Sequence, residues 1–144
     1  MFYVSEFLEE NRERYYQNLR GIGKPGGWTA WVEFFLEAVE QQALSNTVRV
    51  KEILSLYNKM KLRVTEVTHS QYSSAILDAI FDRPIFQTAD FIERSKIPKP
   101  TATTSLRKLK EAGILIAVRE ASGSRPAVLA FPELINKAEG RRVL

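Results

Sequence analysis

Apolar positions in this chain keep a helical period for most of its length and change to short β-rich runs only near the end. Over residues 5–19, Leu8, Tyr15, Tyr16 and Leu19 form a stripe near helical spacing. Ser5 is placed to cap that helix, with Glu6, Glu9 and Glu10 near the positive end of its dipole. Gly21, Gly23, Pro25, Gly26 and Gly27 then end it in a loop. Neither Gly nor Pro recurs until Pro84. An apolar helix starting at Trp28 can therefore run to about Val67, roughly 60 Å at 1.5 Å per residue. The polar stretch 41–47 leaves a break near Ser45 and Asn46 as the alternative.

The second half of that helix carries a seam of Val50, Ile53, Tyr57, Met60, Val64 and Val67, in steps of three and four. That spacing is heptad-like. A helix this long cannot bury both ends within so small a chain, so the seam predicts a homodimer. Packing on the first helix and on the C-terminal domain is the alternative.

A further helix is predicted over 71–82, with Ile76, Leu77, Ile80 and Phe81 inward and Pro84 as its stop. Residues 84–86 form a short extended link. Thr88 caps a helix over 89–95 that buries Phe91 and Ile92. Ile97 and Pro98 make a turn, and Pro100 sits in the first turn of the next helix, where an amide has no partner to lose. That helix runs over about 100–112 and ends at Gly113. Two β-rich runs, 114–119 and 127–131, flank a turn cluster at 121–126, and a short helix over 132–138 precedes a loose tail from Gly140. Helix, turn, helix, hairpin is the order of a winged helix-turn-helix. The predicted fold is mainly α: a helical region with a long helix over 1–69, then a winged helix-turn-helix domain with a small β-hairpin over 70–144.

Composition narrows the chemistry. Of 144 residues, 44% are hydrophobic, enough for a real core, and none is cysteine. Disulfides, thiol catalysis and cysteine metal sites are excluded, and a reducing cytoplasm is the expected compartment. No basic leader with an apolar run opens the chain and no run of about 18 apolar residues occurs, so neither a signal peptide nor a membrane span is expected. The net charge of +4 is unevenly placed. Residues 1–70 carry nine Lys or Arg against nine Asp or Glu, and residues 71–144 twelve against eight. The excess favours a polyanion partner for the second half.

At 100° per residue, Ala102, Leu106 and Leu109 share one face of the helix over 100–112, which must be its core face. Pro100, Thr104, Arg107, Lys108 and Glu111 fall opposite, with Thr101 flanking. Hydroxyls and helix-start amides suit phosphate, and Arg107 can pair bidentately with a guanine edge. Lys99 precedes the helix and Arg125 stands at the hairpin tip. Lys99, Thr101, Thr104, Arg107, Lys108 and Arg125 are thus the candidate contacts to double-stranded DNA. A dimer would present two such helices to a two-fold-related site.

Other chemistry finds little footing. His69 is the sole histidine and has no metal or triad partners placed near it, and Asp78 with Asp82 reads as solvated acids. Trp28, Trp31, Phe34 and Phe35 form an aromatic cluster at helical spacing, read as core. The glycines at 21–27 lack the strand before and the Lys-Ser or Lys-Thr after that a phosphate loop requires. No metal and no cofactor are expected.

The string Val4-Ser-Glu-Phe-Leu-Glu-Glu-Asn-Arg-Glu-Arg-Tyr-Tyr-Gln-Asn-Leu19, followed by Gly27-Trp-Thr-Ala-Trp-Val-Glu-Phe-Phe-Leu-Glu-Ala-Val39, resembles the segment downstream of the active-site motif in Fic-family proteins. In that family the two helices complete a helical fold, and a winged helix often follows. The resemblance implies the C-terminal part of such a protein, as a fragment or a natural truncation. The family's His-Pro-Phe-x-x-Gly-Asn-Gly-Arg motif, which binds nucleotide and transfers AMP to a hydroxyl, is absent, so no catalytic residue carries over. The chain is expected to be no enzyme by itself. Transcription regulation through DNA is the first expectation. A module that recruits a protein target, or docks on a missing Fic core, is the alternative.

Overall fold

A computed structural model of the chain describes residues 4–122 and 125–144. In order, the elements are α1 (Ser5–Glu10), α2 (Arg12–Gly21), α3 (Gly27–Thr68), α4 (Ser73–Asp82), β1 (Ile85–Gln87), α5 (Thr88–Ser95), α6 (Lys99–Glu111), β2 (Ile116–Arg119), β3 (Val128–Ala130) and α7 (Pro132–Glu139). The fold is mainly α with one small antiparallel sheet. Two compact units divide the chain, Met1–Lys51 and Glu52–Leu144. The boundary expected at 69/70 thus falls earlier, within α3, because residues from Ile53 onward belong to the second unit's core.

In the first unit the single N-terminal helix of the sequence reading is two. Asn11 sits between them at φ −110°, ψ 32°. Its backbone N–H and its side-chain amide both donate to the Phe7 carbonyl, at 2.9 Å each. This local bonding competes with helix continuation. Val4 rather than Ser5 occupies the N-cap position of α1, and no side chain caps it. The loop before α3 passes so close to α2 that a Cβ on Gly27 would meet the Gly21 carbonyl, which fixes glycine there.

Helix α3 is unbroken through the polar stretch near Ser45. Gln42 Nε2 donates to Asn46 Oδ1 at 2.9 Å, and Thr47 Oγ1 to the Ala43 carbonyl at 2.8 Å. Those side chains bond along the helix instead of opening it. The aromatic cluster divides: Phe34 is buried, Trp31 half-buried against Tyr15 and Phe34, and Trp28 and Phe35 are exposed. Core packing therefore holds for only part of the cluster, because α1 and α2 cover only one face of α3.

The second unit has the larger core. Phe91, Phe131, Ile76, Leu77, Ile80, Leu109, Leu115 and Val64 are its largest fully buried side chains. The seam expected to form a dimer is used within the chain. Met60 and Val64 are buried in this core, beside Leu56, and Ile53, Tyr57 and Val67 pack against it. Of the seam residues only Val50 is exposed. An amphipathic period shows that a face needs a partner; from Ile53 to Val67 that partner is the core of the unit Glu52–Leu144.

The helix–turn–helix follows from local chemistry. Lys96 ends α5 in the left-handed region (φ 55°). Pro98 occupies the N-cap of α6 and Pro100 its first turn. At the other end Gly113 (φ 72°) closes α6. Its N–H reaches the Lys110 carbonyl and that of Ile114 the Leu109 carbonyl, both at 3.0 Å, the paired bonds of a Schellman motif. The sheet has three strands in the order β1-β3-β2, one more than the hairpin expected. The link after Pro84 is the third: Ile85, Phe86 and Gln87 pair with Ala130, Leu129 and Val128. Phe86 and Leu129 face the core. Two helices are thus followed by a small antiparallel sheet that recruits β1 from before them. The tail after Gly140 is tied back, since Asn136 Oδ1 accepts the N–H groups of Val143 and Leu144.

Candidate nucleic-acid interface

Helix α6 is oriented by its core face. Ala102, Ser105, Leu106 and Leu109 are buried, and Leu109 is fully enclosed. That anchoring turns Pro100, Thr103, Thr104, Arg107 and Glu111 outward. Each of these lies more than about 90° from the centre of the buried face at 100° per residue.

The six candidate residues take different places. Lys99 and Thr104 are exposed, on the first two turns of α6. Thr101 is half-buried and, with Pro100, Thr104 and Ser105, lines a shallow cleft of about 310 Å³ completed by Thr68, His69 and Ser70. Arg107 is exposed and pairs through Nη1 with Glu111 Oε1 at 2.6 Å. Both side chains are well solvated, and an exposed i,i+4 pair contributes only about 0.3–0.5 kcal/mol, so Arg107 exchanges this carboxylate for another anion at little cost. Arg125 is exposed at the far end of the hairpin, where it exchanges both backbone hydrogen bonds with Ser122. Gly123 and Ser124 of the expected turn cluster lie outside the described residues.

Lys108 departs from the expectation. It is half-buried, and its Nζ donates to the Thr68 carbonyl at 3.0 Å. Thr68 is the last residue of α3, so the ammonium group sits at the negative end of that helix dipole. The helical wheel places Lys108 beside Thr101 on the flank of α6, about 120° from the core centre, and α3 ends on that flank. Lys108 holds two helices together and is not part of the outward face.

Two residues join the outward set that the sequence reading left out. Thr103 is exposed, its hydroxyl donating to the Lys99 carbonyl at 2.9 Å. Lys96, in the turn before α6, is exposed. Its signal was its position three residues before Lys99, at the amino end of the outward helix. Among the described residues, Lys96, Lys99 and Arg125 have no carboxylate partner, whereas Lys110 pairs with Glu120 at 3.1 Å. Unpaired positive charge thus stands at the start of α6 and at Arg125, as it also does at Arg119, Lys137, Arg141 and Arg142.

Several other ionisable groups are tied into the fold. Arg94 bonds to Asp82, Asp90 and the Ala79 carbonyl. Tyr57 donates to Asp78 Oδ1 at 2.6 Å, and this hydrogen bond, with burial and the carboxylate charge, raises the phenol above its ordinary value. So Asp78 and Asp82 each serve a neighbour rather than acting as a pair. Among the described residues no group of three His, Asp or Glu is placed to hold a metal ion. No described helix is long and apolar enough to cross a membrane. No family model matches the sequence.

Proposed function

We propose that the unit Glu52–Leu144 binds double-stranded DNA, with α6 in the major groove and the hairpin tip against the neighbouring backbone. One observation carries this reading. Burial of Leu106 and Leu109 leaves Thr103, Thr104 and Arg107 facing outward, directly after two lysines without carboxylate partners. Lys96, Lys99 and the first amides of α6 suit phosphate, which fixes register; Arg107 and Thr104 lie where base edges would be met. Arg125 supplies a second phosphate contact from the wing.

The test is the salt dependence of duplex binding, read by fluorescence anisotropy on the full chain. Each phosphate contact contributes roughly one to the slope of log K against log salt. The double variant Lys99→Ala/Arg125→Ala should weaken binding and lower that slope by about two. The same slope and affinity in both proteins would remove the proposal.

A second reading has its own support. Glu111 and Glu120 hold Arg107 and Lys110, which makes the distal half of α6 a mixed-charge surface suited to protein. The likeness of residues 4–39 to Fic-family helices gives that partner a class: a target protein, or the catalytic core, of an AMP transferase. Co-purification of a protein, together with duplex binding that is weak and insensitive to salt, would favour it.

A further inference from the structure

We infer that the outward face of α3 in the first unit is a self-association surface, which pairs antiparallel with the same face of a second copy of this chain. The inference concerns a different unit from the nucleic-acid reading and stands without it.

The first unit is short of core. Among its described residues only Phe34, Ala38 and Gln42 are buried side chains. All three lie on the side of α3 that α1 and α2 cover. Along one flank and outward from it, Trp28, Val32, Phe35, Leu36, Val39 and Val50 are between 42% and 65% exposed, and Leu44 and Val48, 57% each, lie on the opposite flank. The residues from Trp28 to Val39, with Val50, leave on the order of 600 Å² of apolar surface, the upper end for the largest patch of a monomer and most of the ~800 Å² per partner that a stable interface buries. A small unit with so few enclosed side chains needs that area covered.

The pattern on the stripe points to a second copy as the cover. Val32, Val39, Ala43 and Val50 lie within about 40° of one another around the helix. Their spacing of seven, four and seven residues reads the same in both directions about position 41. A two-fold axis near Gln41 therefore sets Val32 over the partner's Val50 and Val39 over the partner's Ala43. Val39 and Ala43, one large and one small, allow close approach at the centre.

One pair of charges agrees with this arrangement, although Glu40, beside the axis, meets the partner's Glu40. Glu33 and Glu40 lie along one edge of the stripe before its centre, and Lys51 along the same edge after it. None of the three has an ion-pair partner among the described residues. In an antiparallel pair like edges meet, so Glu33 of one copy approaches the partner's Lys51, twice per dimer. A parallel in-register pair would set Glu33 beside Trp31 and Phe35 on the partner's opposite edge, where no cation stands.

Sedimentation of the full chain tests this. The wild type should have twice the 16.5 kDa chain mass at tens of micromolar. Val39→Glu should give a monomer with the same helical circular dichroism, because position 39 is exposed within one copy. Glu33→Lys should raise the dimer Kd at least several-fold at low salt, and Glu33→Lys/Lys51→Glu should restore it. The chain has no cysteine, so Val39→Cys/Ala43→Cys should cross-link as a covalent dimer under mild oxidation. A monomeric wild type, or a dimer indifferent to Val39→Glu, would assign the face to another occupant and overturn the inference. A Glu33→Lys defect that the Lys51→Glu change leaves unrepaired, with no cross-link between positions 39 and 43, would overturn the antiparallel pairing.

Discussion

Replacing Lys108 with methionine separates the structural cation of α6 from those offered to a partner. Methionine keeps most of the aliphatic stem and removes the ammonium group that donates to the Thr68 carbonyl. A hydrogen bond from a charged donor contributes about 1.5–3 kcal/mol, and a cation at a helix C-terminus about 0.3–1 kcal/mol. Lys108 is half-buried, so solvent screens part of this, but Thr68 is only 5% exposed and its carbonyl is poorly placed to recruit water instead. A net loss of about 1–2 kcal/mol follows. For a unit of this size that lowers the melting temperature by roughly 5–12 °C. Thermal denaturation by circular dichroism reads the loss, and duplex affinity measured below the transition should stay within about twofold. An unchanged melting temperature with a clear fall in affinity would refute the reasoning, because Lys108 would then be serving phosphate rather than α3.

Met60→Ala should destabilise the second unit by about 2–4 kcal/mol through lost burial and a residual cavity. It should leave the sedimenting mass of the folded chain unchanged, because Met60 is buried within one copy; dissociation of a folded dimer would contradict its place in the core. Tyr57 provides a pH signature. Its hydrogen bond to Asp78 raises the phenol pKa in the folded chain, so the stabilisation is full below the ordinary value near 10 and is lost as pH rises through the raised value. Thermal melts above about pH 10 should therefore fall more steeply in wild type than in Tyr57→Phe; parallel curves would contradict the bond.

The elements of the second unit were legible because their signals are local. Pro98, Pro100 and Gly113 punctuate α6, and the spacing of Ala102, Leu106 and Leu109 fixes which side of it is buried. Strand β1 escaped because it is three residues long and its partner, β3, lies more than 40 residues away. The seam from Ile53 to Val67 had the right residues and the wrong partner, since periodicity marks an apolar face without saying what covers it. Lys108 was misplaced for a related reason: a helical wheel gives its direction but not the end of α3 that lies there. In the first unit Asn11 broke a pattern that apolar spacing alone carries through, by bonding twice to a single carbonyl.

The central claim concerns which atoms meet the polyanion, and amide chemical-shift mapping of the full chain with a duplex measures that most directly. The account predicts that perturbations concentrate at residues 96–104, at Arg107 and at Arg125, fade as salt is raised, and spare Lys108. Perturbations gathered elsewhere on the second unit, or a titration that moves no resonance at low salt, would contradict it.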